Sequence, residues 1–169
     1  MNSNRTHHRS LGLTIAAFAF AFDQLLKYIV TVPLDLKTVG QIVLAPFFNL
    51  TWVENYGVSL GLLVADSHLE RWLLTGLTAL IATVVAVWMW REKNRQDVVG
   101  LGLILGGALG NILDRVRFGH VVDFADLHFG EFRPFLVFNI ADAAITIGVL
   151  ILFFRALLVR DKPKVEADA

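Results

Sequence analysis

Apolar residues gather into four long runs, and the stretches between them hold most of the charges and turn formers. Leu11–Val30 is broken by Asp23, Gln24 and Lys27. Trp72–Trp90 carries no charge, Val98–Leu113 is shorter, charge-free and glycine-rich, and Phe135–Phe154 carries Asn139 and Asp142. Roughly 20 apolar helical residues cross a bilayer core of about 30 Å. The pattern therefore predicts four membrane spans, over 11-30, 72-90, 98-113 and 135-154. The first run is too long for a signal-peptide core, carries Asp23 and Lys27, and is followed by no small-residue cleavage pattern, so it is expected to be a retained anchor.

The connection 31-70 is too long to be bare loop. Gln41–Leu44 and Phe48–Val53 read as strands, because Phe48, Leu50 and Trp52 alternate with Asn49, Thr51 and Val53, and Pro46 punctuates the two runs. The apolar run Val58–Val64 is expected at the membrane interface. Asp114–Pro134 mixes Phe118, Phe124, Phe129 and Phe132 with Asp123, Asp126 and Glu131, and reads as an interfacial element. In the third run, Gly102, Gly106 and Gly110 recur at four-residue spacing, which lets helix backbones approach closely in lipid.

Composition agrees. Of 169 residues, 56% are hydrophobic and 18% charged, against about 45–50% and 25% in soluble domains. Lys+Arg and Asp+Glu balance at 15 each, so no basic field points to nucleic acid. The chain has no cysteine, which removes disulfides, thiol catalysis and cysteine-held metal. Nine of the basic residues outside the spans lie before span one, between spans two and three, or after span four, against five in the other two connections. By the positive-inside rule both termini are expected to be cytoplasmic, and 31-70 and 114-134 to face outward. The expectation is one domain over 1-169, an all-α integral membrane protein. It would be a four-transmembrane-helix bundle with a small periplasmic β-sheet and a short interfacial helical segment.

Charge inside a membrane is costly and calls for an explanation. Asp23 lies seven residues before the outer end of span one, and Asp142 seven residues after the outer start of span four. At 1.5 Å per residue both sit about 10 Å deep. Asn111 lies near the outer end of span three, Asp114 and Arg115 follow it, and Asp123 lies just beyond. The topology thus gathers Asp23, Lys27, Asn111, Asp114, Arg115, Asp123, Asn139 and Asp142 into the outer half of one bundle, with no such cluster in the inner half. Asp23 and Lys27, at i and i+4, read as an ion pair that neutralises itself, or Lys27 reaches to the interface. Asp114 and Arg115 read equally as an interfacial charge pair or as a substrate contact. Asn139 and Asp142, at i and i+3, share a helix face. No basic residue lies within a turn of Asp142. From pattern alone, Asp123 and Asp142 stand equally as a functional pair or as two separately placed acids. Two carboxyls in a poorly solvated site share a proton, and such a pair can activate water and polarise a peptide carbonyl without metal.

The strings Phe22-Asp23-Gln24-Leu25-Leu26-Lys27, Asn55-Tyr56-Gly57 and Gly106-Gly107-Ala108-Leu109-Gly110-Asn111-Ile112-Leu113-Asp114-Arg115 resemble those of the lipoprotein signal peptidases. So do Gly119-His120-Val121-Val122-Asp123-Phe124 and Phe138-Asn139-Ile140-Ala141-Asp142-Ala143, and the resemblance spans about 11–155. It implies an aspartic endopeptidase of the bacterial inner membrane, with Asp123 and Asp142 catalytic. It places substrate contacts on Asn55, Gly107, Asn111, Arg115 and Asn139, supported by Asp23 and Lys27. It implies prolipoproteins carrying a diacylglyceryl-modified cysteine as substrates, cut immediately before that cysteine. It also implies membrane lipid as surroundings, the cyclic peptide globomycin as inhibitor, and no metal or other cofactor. The self-contained bundle is expected to be a monomer. Leu60 departs from the family, which often has Phe there.

Other chemistries fit less well. Gly57-Val58-Ser59-Leu60-Gly61 matches G-x-S-x-G, but that motif needs a strand-turn-helix setting and a partnered histidine. His7, His8, His68, His120 and His128 all fall outside the expected spans. His120, Asp123, Asp126 and His128 do not have metalloprotease spacing. A proton-relay transporter would thread acids through the bundle and show an inverted repeat; neither is present in the sequence.

Overall fold

The computed structural model describes residues 2–57 and 68–158. Val58–Val64, with Ser59 and Leu60, and the tail beyond Leu158 lie outside the described residues. The elements in chain order are α1 (Asn2–Thr31), α2 (Leu36–Val39), β1 (Gln41–Ala45), β2 (Phe48–Asn55), α3 (His68–Arg91), α4 (Arg95–Phe118), β3 (Val121–Leu127) and α5 (Ile140–Leu158). Four helices are long and apolar enough to cross a membrane, over His8–Thr31, Leu69–Arg91, Arg95–Phe118 and Ile140–Leu158. Their outward faces expose large apolar side chains such as Phe18, Leu25, Leu73, Leu80, Val84, Leu150 and Phe154, as lipid-facing helices do.

Helix α4 is the centre and packs on α1, α3 and α5. Its glycines make this possible. A Cβ on Gly102 would lie 2.8 Å from the Gly12 carbonyl oxygen of α1. One on Gly106 would collide with the Ala16 carbonyl, and one on Gly107 with the Ala141 carbonyl of α5. Gly107, expected as a substrate contact, lies at a close α4–α5 approach. Around this seam Ala16, Ala82, Met89, Val98, Leu101, Leu105 and Ala108 form the bundle core. Gly119 ends α4 at φ 84°, where its N–H returns to the Arg115 carbonyl and the chain turns into β3.

The three strands form one antiparallel sheet in the order β1-β2-β3. It closes one end of the bundle over a second core of Val30, Leu36, Phe124 and Ala125. The sequence reading differs here in one respect. Asp114–Pro134 is not a single interfacial element, since α4 runs on to Phe118 and Val121–Leu127 is a strand. That strand is buried from Val121 to Asp126 on both faces, so it lacks the period-two alternation that marks a half-exposed strand. The one short helix outside the spans, among the described residues, is α2.

The fourth span also starts later than hydropathy suggests. Phe138 is extended and bonded to β3, with its carbonyl accepting from Ala125 N at 2.7 Å and its N–H donating to Ala125 O at 3.0 Å. The helix begins at Ile140, so Asp142 lies in its first turn, not two turns inside. Apolar Phe135–Val137 merges with the helix in a hydropathy profile, and only the cap separates them. Asp142 N donates to Asn139 Oδ1 at 2.9 Å and Asn139 N donates to Asp142 Oδ2 at 3.3 Å. This reciprocal arrangement is a capping box, which satisfies helix-start donors that have no intrahelical partner.

Candidate active site

Where the sheet meets the bundle, α1, β2, α4, β3 and the start of α5 bring nine polar side chains together. Seven of them, Asp23, Lys27, Asn111, Asp114, Arg115, Asp123 and Asn139, are almost fully buried. Asp142 and Asn55 are partly exposed.

One half is built on Lys27. Its ammonium lies 2.9 Å from Asp23 Oδ2 and 2.7 Å from Asp114 Oδ2, and donates to Asn111 Oδ1 at 3.2 Å. The i, i+4 pair expected between Asp23 and Lys27 is formed, but Asp114 makes it a triad. Asp23 Oδ1 also accepts from Ala141 N at 2.9 Å, so α1 holds the first turn of α5. Asp114 Oδ2 accepts from Val122 N at 3.2 Å and so fixes the start of β3. Gln24, quoted in the motif but not among the expected site residues, donates to Asp23 Oδ2 and to Asp114 Oδ1, each at 3.1 Å. Its signal was available: it adjoins Asp23, and a span rarely carries an amide without a partner.

The other half holds Asp123 and Asp142, and its hydrogen bonds come from neutral groups. Asn139 Nδ2 donates to Asp123 Oδ1 at 2.6 Å, and Asn55 Nδ2 donates to Asp123 Oδ2 at 2.9 Å. Asn111 Nδ2 donates to Asp142 Oδ1 at 2.9 Å. Asn139 therefore touches both acids, through its amide to Asp123 and through its cap to Asp142. The sheet explains how Asn55 reaches. Asp123 stands opposite Val53, and Asn55 is two residues further along β2 on the same face. A register shift between Leu50 and Val53 precedes this pair, and such bulges re-aim side chains. Burial, then the Asp142 carboxylate, push the Asp123 carboxyl up to about 7, against the opposing hydrogen bonds from Asn55 and Asn139.

Arg115 lies against the same site. Its Nη2 donates to the Gly57 carbonyl at 2.9 Å, and Asn55 Oδ1 accepts from Gly57 N at 3.0 Å. The backbone at Gly57 is thus held from two sides, and Arg115 Nε has no hydrogen-bond partner among the described residues. No group of three or more metal-binding side chains occurs among the described residues. His128 donates its backbone N–H to Phe47 O, and His120 lies 3.8 Å from Glu54.

A family model described as "Signal peptidase (SPase) II" matches residues 15–158. A lipoprotein signal peptidase of Sphingopyxis alaskensis is 57% identical over 169 residues, covering 100% of this chain and 97% of that protein. One of Rhizorhabdus wittichii is 57% identical over 168 residues, covering 99% and 97%. A solved structure described as a bacterial membrane enzyme, obtained by the in meso method at 2.3 Å resolution, superposes with a TM-score of 0.76. It is 32% identical in sequence, over 94% of this chain and 93% of that one. The chain belongs to the signal peptidase II family, multi-pass membrane proteases that remove signal peptides from prolipoproteins.

Proposed function

We propose that this protein is an aspartic endopeptidase that cuts diacylglyceryl-modified prolipoproteins immediately before the lipid-modified cysteine, with Asp123 and Asp142 as the catalytic pair. One observation carries the reading. Two carboxyls from consecutive elements share Asn139 as a common partner, and no cation contacts either among the hydrogen bonds and ion pairs of the described residues. Two carboxyls in a poorly solvated site share a proton.

Asp123, buried and titrating near 7, holds that proton and donates it to the scissile carbonyl oxygen. Asp142, open on one side, takes a proton from the attacking water. The tetrahedral intermediate collapses as Asp142 passes the proton taken from water to the leaving amine and Asp123 takes a proton back from the intermediate's hydroxyl. Asn55, Asn111 and Asn139 hold the acids in register. Arg115, with an unused Nε and a grip on Gly57, donates to substrate carbonyls. Asp23 and Lys27 support the site from behind, and Gly107 lets α5 approach. The bundle acts as a monomer in the inner membrane, with cytoplasmic termini and the sheet on the periplasmic face, where globomycin competes with substrate.

The test is a gel-shift assay of purified protein with a diacylglyceryl-modified prolipoprotein, comparing wild type with Asp123→Asn, Asp142→Asn and Ser59→Ala. Loss in both Asn variants with Ser59→Ala active supports the pair. Cleavage surviving in either Asn variant overturns it.

A further inference from the structure

At the end of the bundle away from the sheet and the acid pair, α1 begins and α3 ends, and these two helices touch each other only sparsely. A groove of about 510 Å³ follows their seam, lined by Arg9, Leu13, Thr14 and Ala17 of α1 and by Trp90 of α3. A second cavity of about 220 Å³ shares Arg9 and Trp90 and extends the groove over Arg91, Glu92 and Lys93. Arg9, Leu13 and Ala17 recur every four residues on one stripe of α1, so the groove turns from cationic to apolar along the helix. Arg9 is fixed in place. Its Nε donates to the Trp90 carbonyl at 3.1 Å, and its guanidinium lies 4.6 Å from the centroid of the Trp90 ring. Both Nη groups are left without a hydrogen bond or ion pair among the described residues. Arg91 and Lys93 are exposed and form no ion pair among the described residues either. Glu92, the acid lining the groove, is already occupied. Its Oε1 accepts from Lys93 N at 2.8 Å and Asn94 N at 2.9 Å, and its Oε2 accepts from Trp88 Nε1 at 3.2 Å.

We propose that this α1–α3 groove binds an anionic phospholipid of the surrounding bilayer. Arg9 grips the phosphate through its two Nη groups, Arg91 and Lys93 add charge, and one acyl chain lies along Leu13 and Ala17. The inference goes beyond the proposed function and holds whichever acids are catalytic. Three features select the occupant. A guanidinium fixed at Nε and over a ring presents a planar fork that matches paired phosphate oxygens. Arg9 lies near the start of the membrane-crossing stretch His8–Thr31, and Arg91 ends the stretch Leu69–Arg91, at the level where a bilayer carries its phosphates. The apolar half of the groove offers a free phosphate nothing, whereas a chain attached to that phosphate fills the seam between two helices. A lipid held there joins α1 to α3 where the protein joins them weakly. It should stabilise the folded bundle by binding it, without touching the acid pair at the opposite end.

The experiment uses the full protein, purified in a neutral detergent. Native mass spectrometry titrates it with phosphatidylglycerol, with phosphatidylcholine of the same chains, and with glycerol 3-phosphate as a free headgroup. Wild type should bind phosphatidylglycerol at least about tenfold more tightly than phosphatidylcholine. Glycerol 3-phosphate should not displace it, and only phosphatidylglycerol should raise the melting temperature. A phosphatidylglycerol with a diazirine in one acyl chain should label residues 9–17 or 86–93. Thr14→Trp, which fills the groove from an exposed position and keeps Arg9, should abolish that label. Arg9→Gln should remove the preference for the anionic lipid, and Arg9→Lys should keep part of it. Arg95→Gln removes a cation at the same end of the bundle but outside the groove, and should leave the preference intact. Equal binding of the two lipids overturns the inference, as does labelling confined to other segments or a preference that survives both Arg9→Gln and Thr14→Trp. An equal loss in Arg95→Gln would reduce the groove to diffuse charge, and displacement by glycerol 3-phosphate would make it an ion site; either result overturns the lipid assignment. None of these readouts needs cleavage, so they are independent of whether the Asn variants abolish proteolysis.

Discussion

The two acid sets of this site lie side by side and are treated oppositely. Asp23 and Asp114 share the Lys27 ammonium at 2.9 and 2.7 Å, and neither is exposed. Asp123 and Asp142 receive amides from Asn55, Asn111 and Asn139. A buried carboxylate on a counter-ion serves as a fastener, here between α1, α4, β3 and α5. The other pair is held in position by neutral amide donors. The contrast teaches that depth alone does not distinguish the two acid sets; the kind of partner does.

Removing one charge from the amide-held pair should have the largest effect. Asp142→Asn should lower turnover by about 10²–10⁴-fold or more while melting temperature holds, because an amide can still accept at the α5 cap. If its melting temperature fell with activity, the acid would be a fastener like Asp114. The converse change is Lys27→Met, which strands two buried carboxylates. It should cost about 3–5 kcal/mol, read as a lower melting temperature in detergent. Adding Asp23→Asn and Asp114→Asn should recover much of that loss; no recovery would mean that Lys27 acts on the reaction itself.

Asn139→Ala removes the shared partner. It should reduce kcat by about 10–100-fold, the equivalent of a hydrogen bond to a charged group, and should loosen α5 by about 1 kcal/mol through the lost cap. An unchanged kcat would separate the cap from the chemistry. The pH dependence then sharpens the pair. Asp123 rises from 3.8 to about 7 in the folded protein, so the native state holds a proton that the unfolded chain has released. Its stabilising contribution is complete below about 4 and is lost as pH rises toward 7. Melting temperature should decline across that window in wild type and flatten in Asp123→Asn. Activity should fall above about 7 as the acid loses its proton. At the small end stands Lys37→Ala. Lys37 meets Glu54 at 2.8 Å but is 62% exposed. Glu54 is held down to about 2, first by Lys37 and then by the Tyr56 hydroxyl. Such exposed pairs are screened by solvent and add little to stability, so neither melting temperature nor catalysis should change measurably.

Much of this was legible in the chain. Hydropathy located the four spans, alternation located β1 and β2, and the glycine spacing of α4 announced its close packing. The gathering of acids at one end followed from topology. Strand β3 was not legible, because enclosure on both faces erases alternation and Asp123 and Asp126 break it further. The start of α5 was misplaced because hydropathy sums residues without asking for their hydrogen bonds, although Asn139-x-x-Asp142 carried the cap signal. Which acid pairs with Lys27 could not be read from spacing. Asp23 satisfies the i, i+4 rule, whereas Asp114 arrives from another helix.

The antiparallel bridge between Ala125 and Phe138 has a further consequence. It ties together the two ends of the connection that separates Asp123 from Asp142 in sequence. Asp123 and Asp142 are each within a few residues of that tie, so their spacing is a property of the knot and not of the twelve residues looped through it. On the proposed reading, a change of length or composition in the loop beyond Leu127 would leave the spacing of the two acids in place.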